Sequence, residues 1–206
     1  MSLTFWTHPM SRGQIVHWML EELGEPYDTV WLEWGAQPGG HKHPDFLAVN
    51  PMGKVPAVRH DGAVVTEAAA ICLYLADAFP KAGLKPDGDA LADYYRWTLF
   101  CSGPVEQAVT ARAMGWTVPP DREGTVGFGT YDAAVEALSG HLAGRRFVAG
   151  DAFSAADVYV GATVDWGLSF GTLPSLPALE AYAQGLRARP AYRRFKAVVA
   201  EKMPKA

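Results

Sequence analysis

Residues 56–79 read PAVRHDGAVVTEAAAICLYLADAF, and this stretch decides the fold of the first half of the chain. Two short runs, Pro56 to His60 and Ala63 to Thr66, flank the dipeptide Asp61-Gly62. Asp-Gly between two such runs is a strong hairpin signal, because both turn residues tolerate positive φ. A helix follows from Glu67 to Phe79, with Ile71, Tyr74, Leu75 and Phe79 on one face and Pro80 as its stop.

Toward the N-terminus the strand and helix signals alternate. Leu3 to Thr7 (LTFWT) is short and aromatic, like a strand. Gly13 to Leu23 carries Val16, Met19, Leu20 and Leu23 at the spacing of one helical face, and Gly24 and Pro26 close it. Thr29 to Leu32 reads as a second strand, Gly35 to His43 as a loop, and Pro44 to Val49 as a short helix. The order β-α-β-α-β-β-α suits a mixed sheet covered by helices, with a thioredoxin-like arrangement as the candidate. Beyond Gly83 to Asp89, a small, polar, linker-like stretch, strand signals vanish. Ala90 to Ala113 is a long helical pattern that Pro104 must kink. Thr130 to Leu142, Ala155 to Leu168, Pro177 to Ala188 and Ala191 to Ala200 add further helices. The expected architecture is an α/β thioredoxin-like N-terminal domain (residues 1–82), a linker (83–89) and an all-α helical C-terminal domain (90–206).

Composition bounds the function. The chain has 206 residues, 49% of them hydrophobic, enough to bury a proper core. Its net charge of −4 argues against a nucleic-acid partner, which favours a basic excess. No run approaches the roughly 20 apolar residues of a membrane span, and no basic n-region precedes an apolar stretch at the N-terminus. A cytoplasmic location without membrane contact is therefore expected. The two cysteines, Cys72 and Cys101, show no metal-ligand spacing and read as buried free thiols, so no metal is expected.

Four motifs carry chemistry or architecture: Thr7-His8-Pro9-Met10-Ser11-Arg12, Asn50-Pro51-Met52-Gly53-Lys54-Val55-Pro56, Thr66-Glu67-Ala68-Ala69-Ala70-Ile71, and Gly150-Asp151-Ala152-Phe153-Ser154-Ala155-Ala156-Asp157. With the α/β-then-all-α layout, they make the whole chain resemble the cytosolic glutathione S-transferases of bacterial type. The resemblance implies glutathione as co-substrate, a hydrophobic electrophile as second substrate, and a homodimer. The electrophile pocket is expected between the domains, walled by Met10 and by the kinked helix from Arg112 to Trp116.

Each motif also has a reading in its own right. Proline holds Val55 extended, so its backbone N–H and C=O can present a free edge. Residues alone favour a trans Val55-Pro56 bond; the resemblance implies a cis bond, with Val55 pairing with the cysteinyl backbone of glutathione and Lys54 and Pro56 beside it. Glu67 and Ala68 sit at a helix start, where free N–H groups suit a carboxylate. The resemblance gives Glu67 the ammonium of the γ-glutamyl end and Ala68 its carboxylate, although many relatives carry Ser at that place. Lys42, after His41, is either a solvated loop residue or the cation for the glycyl carboxylate. Phe153-Ser154-x-x-Asp157 is structural: a capping box, with Phe153 and Val158 as a hydrophobic staple.

Ser11 admits two readings. Its hydroxyl can hydrogen-bond the glutathione sulfur and favour the thiolate, or it can join Gln14 in an S-x-x-Q capping box. His8 and Thr7 are nearby alternatives for the thiol partner. The loop contains no Cys, which argues against thiol-transferring and glutathione-lyase branches. The expected function is glutathione transfer to an electrophile. A non-catalytic binding or assembly protein, and a glutathione-dependent peroxidase or isomerase, are the alternatives.

Overall fold

The computed structural model describes residues 2–204. Its four-stranded sheet contains β1 (Leu3–Thr7), β2 (Asp28–Trp31), β3 (Ala57–His60) and β4 (Ala63–Thr66) in the order β2-β1-β3-β4. β1 runs parallel to β2 and antiparallel to β3, and β4 completes the hairpin antiparallel to β3. Asp61 and Gly62 take φ values of 45° and 94°, the positive pair that the hairpin signal requires.

Helices α1 (Gly13–Leu23), α2 (Pro44–Leu47) and α3 (Ala68–Ala78) follow in the expected order. Phe5 and Val58 of the sheet are fully buried, as are Val16, Met19 and Leu20 of α1 and Ile71, Cys72 and Leu75 of α3. Leu32, Phe46 and Ala57 form a separate buried cluster, with Trp6, Val49 and Val55 packed against it. Some ends differ from the expected ones. β2 starts and stops one residue earlier than the sequence suggests, though Leu32 N–H still reaches Thr7 C=O at 2.8 Å. α2 ends at Leu47, and α3 begins at Ala68 because Glu67, at φ 65°, cannot be helical.

The chain forms two compact units, whose boundaries differ from the expected ones. The first holds the residues up to Gly83 together with those from Arg189; the second runs from Leu84 to Ala188. The last helix, α9 (Pro190–Lys202), therefore belongs with the sheet and not with the helices that precede it. Linker residue Leu84 is buried, and its C=O accepts from Ala155 N–H at 2.8 Å, so the second unit starts earlier than the composition implied.

The second unit contains α4 (Ala90–Phe100), α5 (Glu106–Ala113), α6 (Tyr131–Leu142), α7 (Ala155–Phe170) and α8 (Pro177–Arg187). A π-helical turn, Cys101–Val105, joins α4 to α5 around Pro104. Proline lacks the N–H of a regular turn, and the wider turn accommodates that gap. Cys72 and Cys101 are both buried and free.

α9 (Pro190–Lys202) docks on α1 through aromatic rings and ion pairs. The Trp18 indole stacks on Phe195 (centroids 5.9 Å apart) and meets Tyr192 edge-on at 5.1 Å. Arg189 grips the buried Glu22 carboxylate with two bonds of 2.6 and 2.7 Å. Arg194 bonds Glu21 at 2.8 Å. Among the described residues no helix is long and apolar enough to cross a membrane.

The capping box of α7 forms as expected, and it does more than cap. Ser154 N–H donates to Asp157 Oδ2 at 2.9 Å, while Oδ1 accepts from Val148 N–H (2.7 Å) and the Tyr182 hydroxyl (2.8 Å). One carboxylate thus ties the loop before α7, the start of α7 and α8 together. Burial nevertheless pushes its pKa up to about 6, against the downward pull of those hydrogen bonds. A carboxyl that holds its proton more tightly when folded adds stability below its unfolded value of 3.8 and loses it as pH rises through about 6. Wild type should therefore lose stability relative to Asp157→Asn between about pH 4 and pH 6. At about 1.4 kcal/mol per pH unit, the loss reaches up to about 3 kcal/mol. Denaturant unfolding of both proteins at the two ends of that range checks it; a pH-independent difference would mean that Asp157 is ionised throughout.

Candidate functional site

Strand register brings the candidate residues to one end of the sheet. Trp6 pairs with Ala57, Ala57 pairs with Thr66, and Thr7 pairs with Trp31. The chain leaving β1 (His8), entering β3 (Val55-Pro56), leaving β4 (Glu67) and leaving β2 (Trp34) therefore meets at a single edge. Residues from four sequence segments share that edge.

Val55-Pro56 is a cis bond, as the resemblance implied and as residue statistics alone would not suggest. The Val55 side chain joins the Leu32–Phe46–Ala57 cluster. No backbone hydrogen bond occupies the Val55 N–H or C=O among the described residues. Buried Asn50 shapes the preceding turn: its amide donates to Lys54 C=O at 2.7 Å, and its oxygen accepts from Met52 N–H at 3.1 Å. The Lys54 side chain points to solvent, and Pro56 is buried. Lys42 is anchored, its Nζ donating to Met52 C=O at 2.8 Å.

Glu67 is the backbone outlier of the site. At φ 65° and ψ 115° it lies outside the regions that L-residues favour, a conformation costing about 1–3 kcal/mol. Its carboxylate is exposed and has no protein partner among the described residues. Ala68 behind it is buried. The first helical bond of α3 runs from Ile71 N–H to Glu67 C=O at 2.9 Å, so the N–H groups of Ala68, Ala69 and Ala70 precede it.

In the loop after β1, Ser11 is buried and engaged. Its hydroxyl donates to His8 C=O at 2.6 Å and accepts from Gly13 N–H at 3.0 Å. Gln14 does not complete an S-x-x-Q capping box; its amide donates to Pro9 C=O at 2.7 Å instead. The turn is tight enough that a Cβ on Gly13 would collide with Thr7 Oγ1 and lie 2.9 Å from Ser11 Oγ. Buried His8 accepts the Met10 N–H at Nδ1, 3.1 Å away, so the proton of the neutral ring sits on Nε2. Desolvation lowers the His8 pKa, with nearby Glu33 opposing and His41 reinforcing the shift. Met10 itself is 55% exposed.

The remaining expected residues, Arg112 and Trp116, belong to the second unit. The Arg112 guanidinium lies 4.1 Å above the Tyr131 ring, and the two line a cavity of ≈ 500 Å³ with Glu136, Ser139 and Leu176. Trp116 is 64% exposed. Trp34 was not singled out from the sequence. Its ring lies against His8, with centroids 3.9 Å apart. An aromatic in a glycine-rich loop directly after a strand was the available signal. Among the described residues no group of His, Cys, Asp and Glu is placed to hold a metal ion.

The architecture is a thioredoxin-like unit with a cis-proline edge and an acid unpaired among the described residues, together with a helical unit. Comparison with known proteins identifies it more closely. Residues 10–78 match the glutathione S-transferase N-terminal domain, and residues 107–166 match the C-terminal domain. Glutathione S-transferase GST-4.5 of Xanthomonas campestris is 31% identical over 178 residues, 78% of this chain and 87% of that protein. A glutathione transferase structure from Methylococcus capsulatus superposes with a TM-score of 0.78 at 26% identity, covering 97% of this chain and 99% of that one. A sphingomonad glutathione S-transferase complexed with glutathione gives a TM-score of 0.76 at 29% identity, covering 96% and 98%. The chain belongs to the glutathione S-transferase family and is a transferase.

The Ser11 geometry makes a prediction independent of catalysis. Ser11→Ala removes both bonds of the turn and should cost about 1–2 kcal/mol of stability. Thermal unfolding measures it, and an unchanged midpoint would show that the turn does not depend on the hydroxyl.

Proposed function

We propose that this protein binds glutathione at the edge formed by Val55, Glu67 and Ala68 and transfers its thiolate to an electrophilic small molecule. The observation that carries this reading is the free Val55 backbone edge beside the unpartnered Glu67 carboxylate. An extended peptide pairs with such an edge through main-chain hydrogen bonds, as in strand addition. Glu67 then faces the γ-glutamyl ammonium, the N–H groups at the start of α3 face its carboxylate, and Lys42 serves the glycyl end. Known glutathione complexes of related folds, the sphingomonad enzyme among them, support glutathione as the ligand. Exposed Met10 and Met52 offer apolar surface to a hydrophobic electrophile.

The chemical task is ionisation of one thiol. A free thiol near pKa 8.5 is only a few per cent ionised at neutral pH. His8 is better supported than Ser11 as the sulfur's partner, because the Ser11 proton is already committed to His8 C=O. Neutral His8 has its lone pair on Nδ1 and a proton on Nε2, so it acts as a hydrogen-bond donor to the thiolate and not as the base. The thiol proton passes to water. The sulfur lone pair then forms the C–S bond as the leaving group departs, or as the electron pair of an activated double bond takes a proton from solvent.

Titration of thiolate absorbance in the glutathione complex tests the assignment. His8→Ala should raise the bound thiol's pKa by about one unit or more, reducing turnover near neutral pH about tenfold, with recovery in alkali. Ser11→Ala should shift it less. A raised pKa in Ser11→Ala alone would return the role to the serine. Retention on immobilised glutathione without turnover of an aryl halide would instead indicate a non-catalytic binding protein.

Homodimerisation is part of the same proposal, since two-fold pairs are the commonest oligomers. Sedimentation at micromolar concentration should give twice the 22.3 kDa chain mass, and a lone 22.3 kDa species would overturn it.

A further inference from the structure

We infer that Trp34 is a positioning residue for His8: its indole holds the imidazole in the one orientation that presents Nε2–H to the thiol site. This rests on the reading of His8 as the sulfur's hydrogen-bond donor. The geometry behind it is independent of that reading.

The loop that carries Trp34 is tied at several points. Glu33 N–H donates to Gly39 C=O at 3.0 Å, and His41 N–H donates back to Glu33 C=O at 3.0 Å. Lys42 N–H donates to Gly35 C=O at 2.8 Å, and the Gln37 amide donates to Trp34 C=O at 2.8 Å. Gly35 N–H reaches His41 Nδ1 at 3.0 Å. Hydrogen bonds thus hold the backbone on both sides of Trp34. Its indole lies over the His8 ring with centroids 3.9 Å apart and planes at 36°, while His41 meets it edge-on at 5.1 Å. Trp34 nevertheless remains 48% exposed. Half of a large aromatic surface stays in water, so burial alone accounts poorly for the residue; its ring contacts are with the two histidines.

Two constraints on His8 act on different motions. The Met10 N–H bond to Nδ1 selects which edge of the ring faces the backbone. The Trp34 face restricts the ring plane. Terminal torsions of aromatic rings are broad, so without the second constraint the imidazole plane rocks, loosening the Met10 bond that selects the ring edge and redirecting Nε2. The indole also shields the ring from water, consistent with the lowered His8 pKa; Glu33 and His41 are the titratable groups acting on it.

Trp34→Ala and Trp34→Phe, each beside His8→Ala, decide the matter. Nitrogen-15 NMR of the ligand-free protein should show a single Nε2–H tautomer of His8 in wild type. Trp34→Ala should give mixed tautomers and a His8 pKa moved up toward its ordinary value; Trp34→Phe should restore both. In the glutathione complex, Trp34→Ala should raise the thiol pKa by about one unit. That is a tenfold loss of kcat near neutral pH, recovered in alkali, with KM for glutathione little changed. An unchanged tautomer and pKa in Trp34→Ala would overturn the positioning role. So would a raised KM with an unaltered pH profile, which would mean that Trp34 touches the tripeptide itself. If His8→Ala leaves the thiol titration unmoved, the donor role of His8 fails, and the tautomer measurement still decides whether Trp34 orients the ring.

Discussion

β1 is hydrogen-bonded along both edges, and the register of its two pairings determines where every candidate residue of the first unit sits. Thr7 opposite Trp31 and Trp6 opposite Ala57 align the exit of β1 with the exit of β2 and the entry of β3. A slip of one residue would exchange the faces of Phe5 and Trp6, moving a fully buried ring to the α2 side. The same slip would carry His8 away from Val55. Phe5 and Val58 are paired and fully buried, so core packing and site assembly are enforced by one set of contacts. The site is therefore as well defined as the core beneath it, although its residues lie on loops.

Two departures from ordinary backbone geometry, the cis Val55-Pro56 bond and the positive φ of Glu67, lie at that edge. Glu67 adopts a positive φ that no side-chain contact rewards among the described residues, and its exposed carboxylate has no partner among them. Sequences normally agree with their structures at every level, and local violations gather where function requires them. Glu67 fits that pattern: the kinked entry to α3 leaves an acid beside unpaired helical N–H groups. Ser11 is the contrasting case. It looks chemically available in the sequence, yet its hydroxyl is consumed by the turn that carries His8 into position.

What was legible in the sequence follows from the range of the forces involved. The Asp61-Gly62 hairpin, the Gly24 stop of α1 and the Ser154–Asp157 box depend on neighbours a few residues away, so residue identity is enough to read them. α9 was legible as a helix but not as a partner of α1. An apolar stripe reports that a face is buried, not against what; the pairing comes from Arg189 with Glu22 and Trp18 with Phe195, about 170 residues apart. The motif-bearing residues Val55 and Glu67 were legible through the family resemblance. Trp34 was not, because its role arises from a ring contact across two loops. The S-x-x-Q reading failed because the missing side chain at Gly13 lets the turn close on Thr7, drawing Ser11 inward and turning Gln14 toward Pro9.

If His8 donates to the sulfur as proposed, its neutrality has a consequence for how such a site works. A protonated histidine would stabilise the thiolate more strongly, but only below its own pKa, where the thiol is least ionised. Burial lowers the His8 pKa, so the ring stays neutral through the range in which the thiolate forms. Protonation would also place a hydrogen on Nδ1 facing the Met10 N–H, opposing two donors within the turn. The turn therefore selects against the charged ring by geometry as well as by desolvation. In the proposed role, the same Met10 contact that orients His8 would keep it a donor, and so separate stabilising the anion from carrying away its proton.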